Sequence, residues 1–350
     1  MLAAMKKLGR EPQKLETLNL FSLLQSGDGS TLYSPANRQS FLSQVDSGLT
    51  LALDSEATLH GIRVQSMFRG MVSSLDYVRL LKEEDAGSCY YQMDGEIRIP
   101  DFRVVTTKGE SLLIETKNYF SKAPMRRYRI RNEDVQALER YAEIVGAPLR
   151  LAIYWAHWNQ WTLNDPERFA RDGNYAEIEF IRAMKESEMA VVGDYSIGTI
   201  FPLSLKLLAA RDQPRTMSPD GIVSMRIGAW EMRAGESLLE DKTEQNIALY
   251  MMMYGKWQYD GGRIDLDEAG LPVSAVHTVS PEQITPKQGF EMIGSLSSLY
   301  SQHYNSLTLE GGRVTQLNIK DPTSLAPVIP RNFEKKQLPL WRFILEPNFD

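Results

Sequence analysis

The segment from Ile97 to Phe120 reads IRIPDFRVVTTKGESLLIETKNYF. Two runs rich in apolar residues flank a short polar stretch that contains Gly109, and this pattern predicts a β-hairpin. Asp101 opens the first strand, and Glu115 and Lys117 lie in the second. Because side chains alternate between the two faces of a strand, Glu115 and Lys117 are expected to point the same way.

The length of the turn decides whether these polar side chains meet. If the turn is Thr107-Lys108-Gly109, with the glycine in the left-handed conformation, Asp101 lies directly opposite Glu115. A two-residue turn at Lys108-Gly109 would instead place Asp101 opposite Thr116 and separate the two carboxylates. The sequence leaves both registers open, and a functional cluster requires the first.

In the first register the hairpin carries the groups needed for metal-assisted hydrolysis. Two neighbouring carboxylates are costly unless a cation lies between them. Oxygen ligands favour Mg²⁺ or Mn²⁺, and such an ion lowers the pKa of its bound water and stabilises charge on a phosphoryl oxygen. A lysine beside the ion can orient or deprotonate the attacking water. The alternative is a surface hairpin that happens to carry an aspartate and a Glu-Lys pair.

The motif resembles that of a known family of nucleases. Pro100-Asp101 followed by Glu115-Thr116-Lys117 is similar to the signature of the PD-(D/E)XK nuclease superfamily. The resemblance implies an α/β fold with a restriction-endonuclease-like core, in which helices flank a mixed central sheet. It also implies that Asp101 and Glu115 bind Mg²⁺ or Mn²⁺ and that Lys117 is the catalytic lysine.

A third metal ligand often comes from a helix that precedes the hairpin in this family. The spacing of apolar residues predicts a helix from Ser55 to Glu84, and Glu56 is its acidic candidate for the site. An acid in a first helical turn also suits the helix dipole. The segment Gly61–Gln65 resembles the place where related enzymes have a glycine followed by glutamate, and this chain has Gln65 there.

The elements around the hairpin are expected to complete the core. Ser88–Met93 is predicted to be a strand that ends at an Asp94-Gly95 turn. After the hairpin, a helix is expected from the N-cap Asn132 to Gly146, followed by a buried strand at Leu149–Trp155. In that helix, Gln136 and Tyr141 resemble the glutamine-then-tyrosine element of RecB-like nucleases, which makes Gln136 a site candidate and Tyr141 a structural one.

A basic segment follows the second strand of the hairpin. Arginine side chains suit phosphate oxygens, and the position beside Lys117 favours a role in DNA binding. A solvated connector is the alternative interpretation. The basic residues are Lys122, Arg126, Arg127, Arg129 and Arg131.

A second, partial match to the motif lies downstream, with Asp220 as the aspartate and Glu240 and Lys242 as the Glu-Lys pair. The residues from Glu240 onward have helical spacing, and on a helix Glu240 and Lys242 would not face the same way. The first copy is therefore expected to form the site.

Length and composition favour a folded protein with three parts. Residues 1–50 are expected to form a helical and loop extension, 51–165 the nuclease core, and 166–350 an α/β or α+β region for recognition, dimerisation or partner docking. The net charge of −6 means that positive charge must be concentrated locally to bind DNA. Cys89 is the only cysteine, which excludes an intramolecular disulfide and favours the cytoplasm.

These features together predict a metal-dependent DNA endonuclease, a component of a restriction or phage-defence system. Two cuts in duplex DNA favour a homodimer. The sequence contains no P-loop, so an ATPase, like a dedicated recognition subunit, would be a separate chain, and no apolar run suggests a membrane partner. The alternative is a catalytically silent nuclease-fold scaffold within a larger complex, and the same chemistry on RNA also remains open.

Overall fold

The computed structural model describes residues 5, 16–24, 33–85, 89–326, 329, 333–334 and 336–350. The helices in this part of the chain are α1 (Thr17–Leu24), α2 (Pro35–Leu53), α3 (Glu56–Val72), α4 (Asn132–Val145), α5 (Phe180–Lys185), α6 (Lys242–Tyr254) and α7 (Leu296–Thr308). Its strands are β1 (Val78–Glu83), β2 (Phe102–Thr106), β3 (Ser111–Tyr119), β4 (Tyr128–Arg131), β5 (Leu149–Trp155), β6 (Gln160–Asn164), β7 (Ala170–Asp172), β8 (Tyr175–Ile178), β9 (Ser196–Thr199), β10 (Leu203–Ala209), β11 (Arg215–Met217), β12 (Val223–Met225), β13 (Ile227–Ala234), β14 (Ser237–Leu239), β15 (Gln258–Leu266), β16 (Pro272–Ser280), β17 (Glu291–Ser295), β18 (Leu309–Glu310), β19 (Arg313–Val314) and β20 (Leu340–Phe343).

The sheet that contains the hairpin has five strands in the order β1-β2-β3-β5-β6. Strands β3 and β5 are parallel, and the other neighbours are antiparallel. The sheet is therefore mixed, and together with its helices it confirms the expected α/β class at that level.

Helices cover both faces of this sheet, and the sequence of β3 shows why. Ile114 belongs to the buried cluster that includes α3, whereas its neighbour Leu113 belongs to the cluster that includes α4. A strand covered on both faces needs consecutive apolar residues instead of strict alternation. Strand β5 has the same character, and its bounds agree with the prediction.

The helix predicted for Ser55–Glu84 is shorter, because α3 ends at Val72. The following residues turn and form β1, with Asp76 in a left-handed conformation at φ 60°. Leu75 and Val78 are buried, as their place in the apolar stripe suggested, but in a turn and a strand instead of a helix. Apolar spacing over a few residues cannot separate these two ways of burying the same side chains.

The predicted strand at Ser88–Met93 is wrong where it can be checked. Ser88 lies outside the described residues, and 89–93 form no strand. The edge strand beside β2 is β1, which comes earlier in the chain. The Asp94-Gly95 segment is a bend with Gly95 at φ 89°, so the Asp-Gly signal marked a change of direction but no hairpin.

The N-terminal part contains two helices. Helix α1 lies in the stretch around Leu15–Leu24 where helical spacing was expected, and the glycine- and serine-rich segment Ser26–Ser30, where a break was expected, lies outside the described residues. Helix α2 continues across residue 50, and its Phe41 ring packs edge-on against Phe21 at 5.1 Å.

The C-terminal region adds a second five-stranded sheet in the order β14-β13-β10-β16-β15, with α6 packed on it. Two smaller sheets have three strands each, in the orders β17-β9-β20 and β4-β8-β7. The apolar spacing of Thr243–Lys256, Tyr175–Met189 and Pro286–Leu307 favours helices, and the first of these segments is α6. The other two are only partly helical, because they also contain strands β8 and β17 respectively. Strand β4 lies within the segment that was expected to be a basic loop.

One buried apolar cluster joins this region to the first sheet. It runs from Met67 and Phe68 of α3 to Leu299 and Tyr300 of α7. A polar link accompanies it, because the buried guanidinium of Arg63 donates to the Asn305 side-chain oxygen at 2.7 Å and to the Thr308 hydroxyl at 3.2 Å.

The same link reaches β5, since the Asn305 amide donates to the Tyr154 hydroxyl at 2.9 Å. The division of the chain at residues 50 and 165 stays a prediction, and the packing across the second boundary is continuous. Among the residues described, no helix combines the length and apolar character that crossing a bilayer requires.

Candidate active site

The hairpin adopts the three-residue turn. The Thr106 amide donates to the Glu110 carbonyl at 2.9 Å, and Gly109 has φ 91°. Strand pairing runs from Val105 opposite Ser111 to Phe102 opposite Ile114. Extending this pairing by one residue on each strand places Asp101 opposite Glu115, which is the register that a functional cluster requires.

Asp101 is held between the hairpin and α3. Its carboxylate accepts hydrogen bonds from the Thr116 amide at 2.7 Å, from the Thr116 hydroxyl, and from the side-chain amide of Gln65. Burial raises the pKa of Asp101, and the bonds from Thr116 and the charge of Lys117 oppose that rise. The hydrogen bonds therefore fix the position of Asp101, but they and the charge of Lys117 do not fully offset the cost of burying its negative charge.

Glu115 is 6 % exposed, and its Oε1 accepts from the Lys117 ammonium at 2.5 Å. Burial raises the pKa of Glu115, the Lys117 charge lowers it, and the nearby charge of Asp101 raises it further. With all three groups ionised, two carboxylates face one ammonium, so the cluster retains a demand for positive charge.

Helix α3 contributes Gln65 at the place where the family resemblance suggested an acid. The sequence flagged this position only as a departure from the expected glutamate. The structure brings the Gln65 amide to the carboxylate of Asp101. A carboxamide offers an oxygen ligand without a charge, so this helix reaches the site but adds no negative charge.

Sequence reasoning missed two further polar residues of β3. Thr116 binds Asp101 through both its amide and its hydroxyl. Asn118 lies two residues further, on the same face of the strand as Thr116. Its side-chain oxygen is buried and has no hydrogen-bond partner among the described residues. The alternation of β3 was a usable signal, because Thr116 and Asn118 are polar on a face that is otherwise apolar.

The donor set fits Mg²⁺ or Mn²⁺. The carboxylates of Asp101 and Glu115 lie opposite each other on the hairpin and have raised pKa values, and Gln65, whose side-chain amide contacts Asp101, offers a neutral oxygen ligand. Mg²⁺ commonly takes one or two carboxylates and keeps several waters. Over the described ranges there is no group of three or more His, Cys, Asp or Glu side chains that could hold a metal.

Two predicted site residues do not join this cluster. Glu56 is the first residue of α3, nine residues before Gln65, which is about 13 Å along the helix axis. Gln136 is exposed on α4. Its neighbour Tyr141 donates to Glu84 Oε1 at 2.8 Å and so has a structural contact, as expected. Glu56 instead occupies the first turn of a helix that Ser55 caps, which is the alternative role considered for it.

The basic segment is divided between paired and unpaired cations. Arg127 forms ion pairs with Glu177 and Glu179, and Arg129 with Glu177 at 3.4 Å and with Asp172. Pairing of β4 with β8 brings these acids alongside. Glu177 lies 50 residues after Arg127, so no residue near Arg127 in the sequence indicates this pairing.

The remaining members of the segment are Arg131, Lys122 and Arg126. Arg131 pairs with Glu133 at 3.0 Å. Lys122 and Arg126 are exposed and make no ion pair with any residue that the structure describes. Within the described part of the chain, the expected five-residue phosphate surface is therefore reduced to two cations without an acidic partner.

The second motif copy does not form a comparable site. Asp220 lies in the turn between β11 and β12, Glu240 is exposed after β14, and Lys242 is the first residue of α6. Asp241 between them caps α6 by accepting from the amides of Thr243 and Glu244. The preference for the first copy is supported by this geometry.

Comparisons with known proteins add little. No protein-family model matches the chain, and no curated protein does. A solved structure of Hjc, a Holliday junction resolvase from Archaeoglobus fulgidus, is similar over 26 % of this chain and 75 % of the resolvase chain, at 16 % identity and a TM-score of 0.21. This is a partial and distant similarity to a resolvase, and at that TM-score it does not establish a shared fold.

Proposed function

We propose that this protein is a metal-dependent DNA endonuclease of the PD-(D/E)XK type. The observation that carries the proposal is the register of one hairpin. It places Asp101 opposite Glu115 and brings the Lys117 ammonium within 2.5 Å of the Glu115 carboxylate. Two acids and one lysine clustered on a hairpin, with the Glu115 carboxylate buried, are groups that can support metal-assisted phosphodiester hydrolysis.

Each residue has a definite role in this proposal. Asp101 and Glu115 hold Mg²⁺ or Mn²⁺, and Thr116 keeps Asp101 oriented through its two hydrogen bonds. A bound divalent ion supplies Lewis-acid stabilisation of the charge that develops on the phosphoryl oxygens. With such an ion in place, Lys117 would be free to donate to the attacking water or the phosphate, and Gln65 could offer its amide oxygen.

We extend the proposal to the rest of the chain and to its partners. The restriction-endonuclease-like core comprises α3, the five-stranded mixed sheet and α4, and the region after residue 165 recognises the target or docks partners. A homodimer would cut both strands of a duplex, and a separate ATPase or recognition subunit would direct it in a restriction or phage-defence system. That last step is by analogy alone.

The test is cleavage of linear, circular and single-stranded DNA, and of matching RNA, in Mg²⁺, Mn²⁺ or EDTA. We expect cutting of DNA by the wild type with either metal and no cutting in EDTA. Asp101→Asn should abolish cutting, because it removes a metal-binding charge while keeping the side-chain shape. Asp220→Asn is the matched control and should cut normally. Cutting by Asp101→Asn at the wild-type rate would exclude this site.

One observation favours a second candidate function, a nuclease-fold scaffold without activity. Gln65 stands where the resemblance suggests a third acid, and the two remaining carboxylates already accept hydrogen bonds from Thr116, Gln65 and Lys117 in the free protein. Well-folded protein that binds DNA but cuts no substrate under any metal condition would support this candidate. Gln65→Glu would then be informative, since a third carboxylate should strengthen metal binding and restore cutting if only affinity is lacking.

A further inference from the structure

A groove of about 530 Å³ opens at the carboxyl end of β3, just beyond Lys117. Tyr119, Phe120, Lys122 and Arg126 are among the residues that line it. Phe120 follows Lys117 by three residues, which is about 10 Å along an extended chain. Whatever occupies the groove therefore lies next to the proposed cutting site.

The loop that forms the wall of the groove is anchored at two points. The Tyr119 hydroxyl lies 3.1 Å from the Arg126 carbonyl and 3.0 Å from the Arg127 carbonyl, to which it donates. The indole nitrogen of Trp158 donates to the Pro124 carbonyl at 3.4 Å, and the Trp158 ring stacks on Phe180. The loop is thus held by contacts that do not use the Phe120 side chain.

Phe120 itself remains exposed. Its relative exposure is 66 %, and its ring stacks on no other aromatic ring in the described part of the chain. A single exposed apolar residue needs no explanation on its own. Here, however, the exposed ring lies on an anchored loop, in a groove, between the active strand and two cations.

The cations of the groove differ in a way that fits a ligand. Arg127 and Arg129 also line the groove, but Glu177, Glu179 and Asp172 already neutralise them. Lys122 and Arg126 have no acidic partner within the described residues. Two unpaired cations beside an exposed ring are the elements that bind a phosphate backbone and stack an unpaired base.

We propose that the groove binds an unpaired stretch of DNA next to the scissile phosphate, with a base stacked on Phe120 and phosphates held by Lys122 and Arg126. This inference rests on the proposed nuclease function and narrows its substrate to DNA that is single-stranded, or carries an unpaired segment, beside the cut. In an intact duplex the base faces are stacked on one another and cannot meet the ring.

The test measures binding, so that it does not depend on cutting. The full chain carrying Asp101→Asn is titrated in EDTA against a fluorescein-labelled thymidine oligonucleotide and against a blunt duplex of equal length. Fluorescence anisotropy gives both dissociation constants. Phe120→Ala should weaken binding of the single strand by roughly 5- to 100-fold and leave duplex binding unchanged. Phe120→Trp should retain tight binding of the single strand.

Met125 provides the matched control for Phe120. It is 60 % exposed in the same loop but does not line the groove, so Met125→Ala should bind both DNAs as the parent does. Lys122→Ala and Arg126→Ala should each reduce the salt dependence of single-strand binding, by about 0.7 in the slope of log K against log salt. Arg127→Ala should change that slope less, because its charge is already neutralised.

The outcomes separate this inference from the nuclease proposal. Single-strand binding that requires Phe120, combined with no cutting by the wild type in any metal, would support the groove assignment and contradict the nuclease proposal. Equal single-strand affinity of Phe120→Ala and its parent would overturn the groove assignment even if the wild type cuts DNA. A loss that is the same for duplex and single strand would also overturn it, because stacking on Phe120 requires an unpaired base.

Discussion

The residues Gly-Glu-Ser-Leu-Leu occur twice in this chain, at 109–113 and at 235–239. Both copies follow an antiparallel strand, both glycines have positive φ, 91° and 56°, and in both the Ser-Leu-Leu part begins a strand. The two copies then diverge. Strand β3 continues through Glu115 to Tyr119, whereas β14 ends at Leu239 and α6 begins three residues later, at Lys242.

The neighbours of each strand account for the difference. Strand β3 lies between β2 and β5, and Leu112 and Leu113 are both buried. Strand β14 is at the edge of its sheet, and the corresponding Leu238 is 37 % exposed. A strand with partners on both sides can carry polar residues onward into a buried site. The edge strand β14 ends before its acid and lysine, so Glu240 is exposed to solvent and Lys242 begins α6.

The largest expected effect is on the rate of cleavage, which should depend on Lys117 of the first copy and not on Lys242 of the second. Lys117→Ala should lower kcat by about 10²- to 10⁴-fold, because it removes the cation beside the attacking water. Lys242→Ala should leave kcat unchanged, since Lys242 is exposed at the start of α6. Steady-state cleavage assays in Mg²⁺ measure both values. A larger loss in Lys242→Ala than in Lys117→Ala would reverse the assignment of the two copies.

The next effect is on stability in the presence of metal. At saturating Mg²⁺ the wild type should be stabilised by about 1–3 kcal/mol over its state in EDTA, because the ion binds the folded protein only. Thermal denaturation of the two samples measures this. Asp220→Asn should show the same gain and Asp101→Asn little or none. Equal gains in both variants would mean that the ion binds elsewhere.

The turn glycines offer a comparison in which the two copies should agree. An added Cβ would meet nothing within 4 Å at Gly109, and at Gly235 it would meet Ile200 at 3.6 Å and the Phe201 carbonyl oxygen at 3.8 Å, which are ordinary contact distances, so the penalty in each case comes from the left-handed backbone. Gly109→Ala and Gly235→Ala should each destabilise the protein by about 1–2 kcal/mol in denaturant titrations. Only the first should also reduce cleavage, because only that turn sets a catalytic register.

Gly61→Ala is the control of opposite sign for the turn glycines. Gly61 lies inside α3 with open space around it, so alanine there should stabilise the protein by about 0.5–1 kcal/mol. If Gly109→Ala also stabilised the protein, the positive φ of the turn would be wrong and with it the three-residue register.

The smallest expected effect is on pH dependence, where the pKa values of Asp101 and of Asp241, which lies between Glu240 and Lys242 of the second copy, should shift in opposite directions. The bond from Lys336 and the amides of Thr243 and Glu244 lower the pKa of Asp241 from 3.8 to about 2. Its contribution to stability is therefore present above pH 3.8 and is lost as the pH falls through about 2. Because Asp241 is exposed, the change should be small.

Burial raises the pKa of Asp101, so its effect on stability changes with pH in the opposite direction to that of Asp241. The folded, metal-free protein binds the proton more tightly than the unfolded chain does, and this residue therefore favours folding more as the pH falls through its raised pKa. Carboxyl titration by NMR in EDTA should place Asp101 above 3.8 and Asp241 below it. The reverse order would contradict the burial of the first site.

The local part of this site was predictable from sequence. Turn length, the glycine that it needs and strand alternation reduced the hairpin to two registers, and the pairing of β2 with β3 is the one that puts Asp101 opposite Glu115. Gly146 ends α4 in the left-handed conformation, as its position before Pro148 indicated. In each case the physical cause lies within a few residues of the effect.

The parts that were missed depend on distant contacts. Nothing near Arg127 in sequence indicates that β8 will place Glu177 beside it, and nothing near Asp101 indicates that Gln65 will reach it. The end of α3 at Val72 was missed for a related reason. Leu75 and Val78 are buried by the tertiary structure whether the chain coils or extends, so their spacing did not distinguish the two.

The buried guanidinium of Arg63 has a consequence for how such a protein can change over generations. Its partners Asn305 and Thr308 come from the other end of the chain and are neutral, so this cation relies on α7 for its hydrogen bonds. A genetic exchange that replaced the C-terminal half would leave a desolvated charge against the sheet that bears the motif. The two halves are therefore expected to be inherited together, and new specificities to arise by change within surface loops instead of by shuffling whole segments.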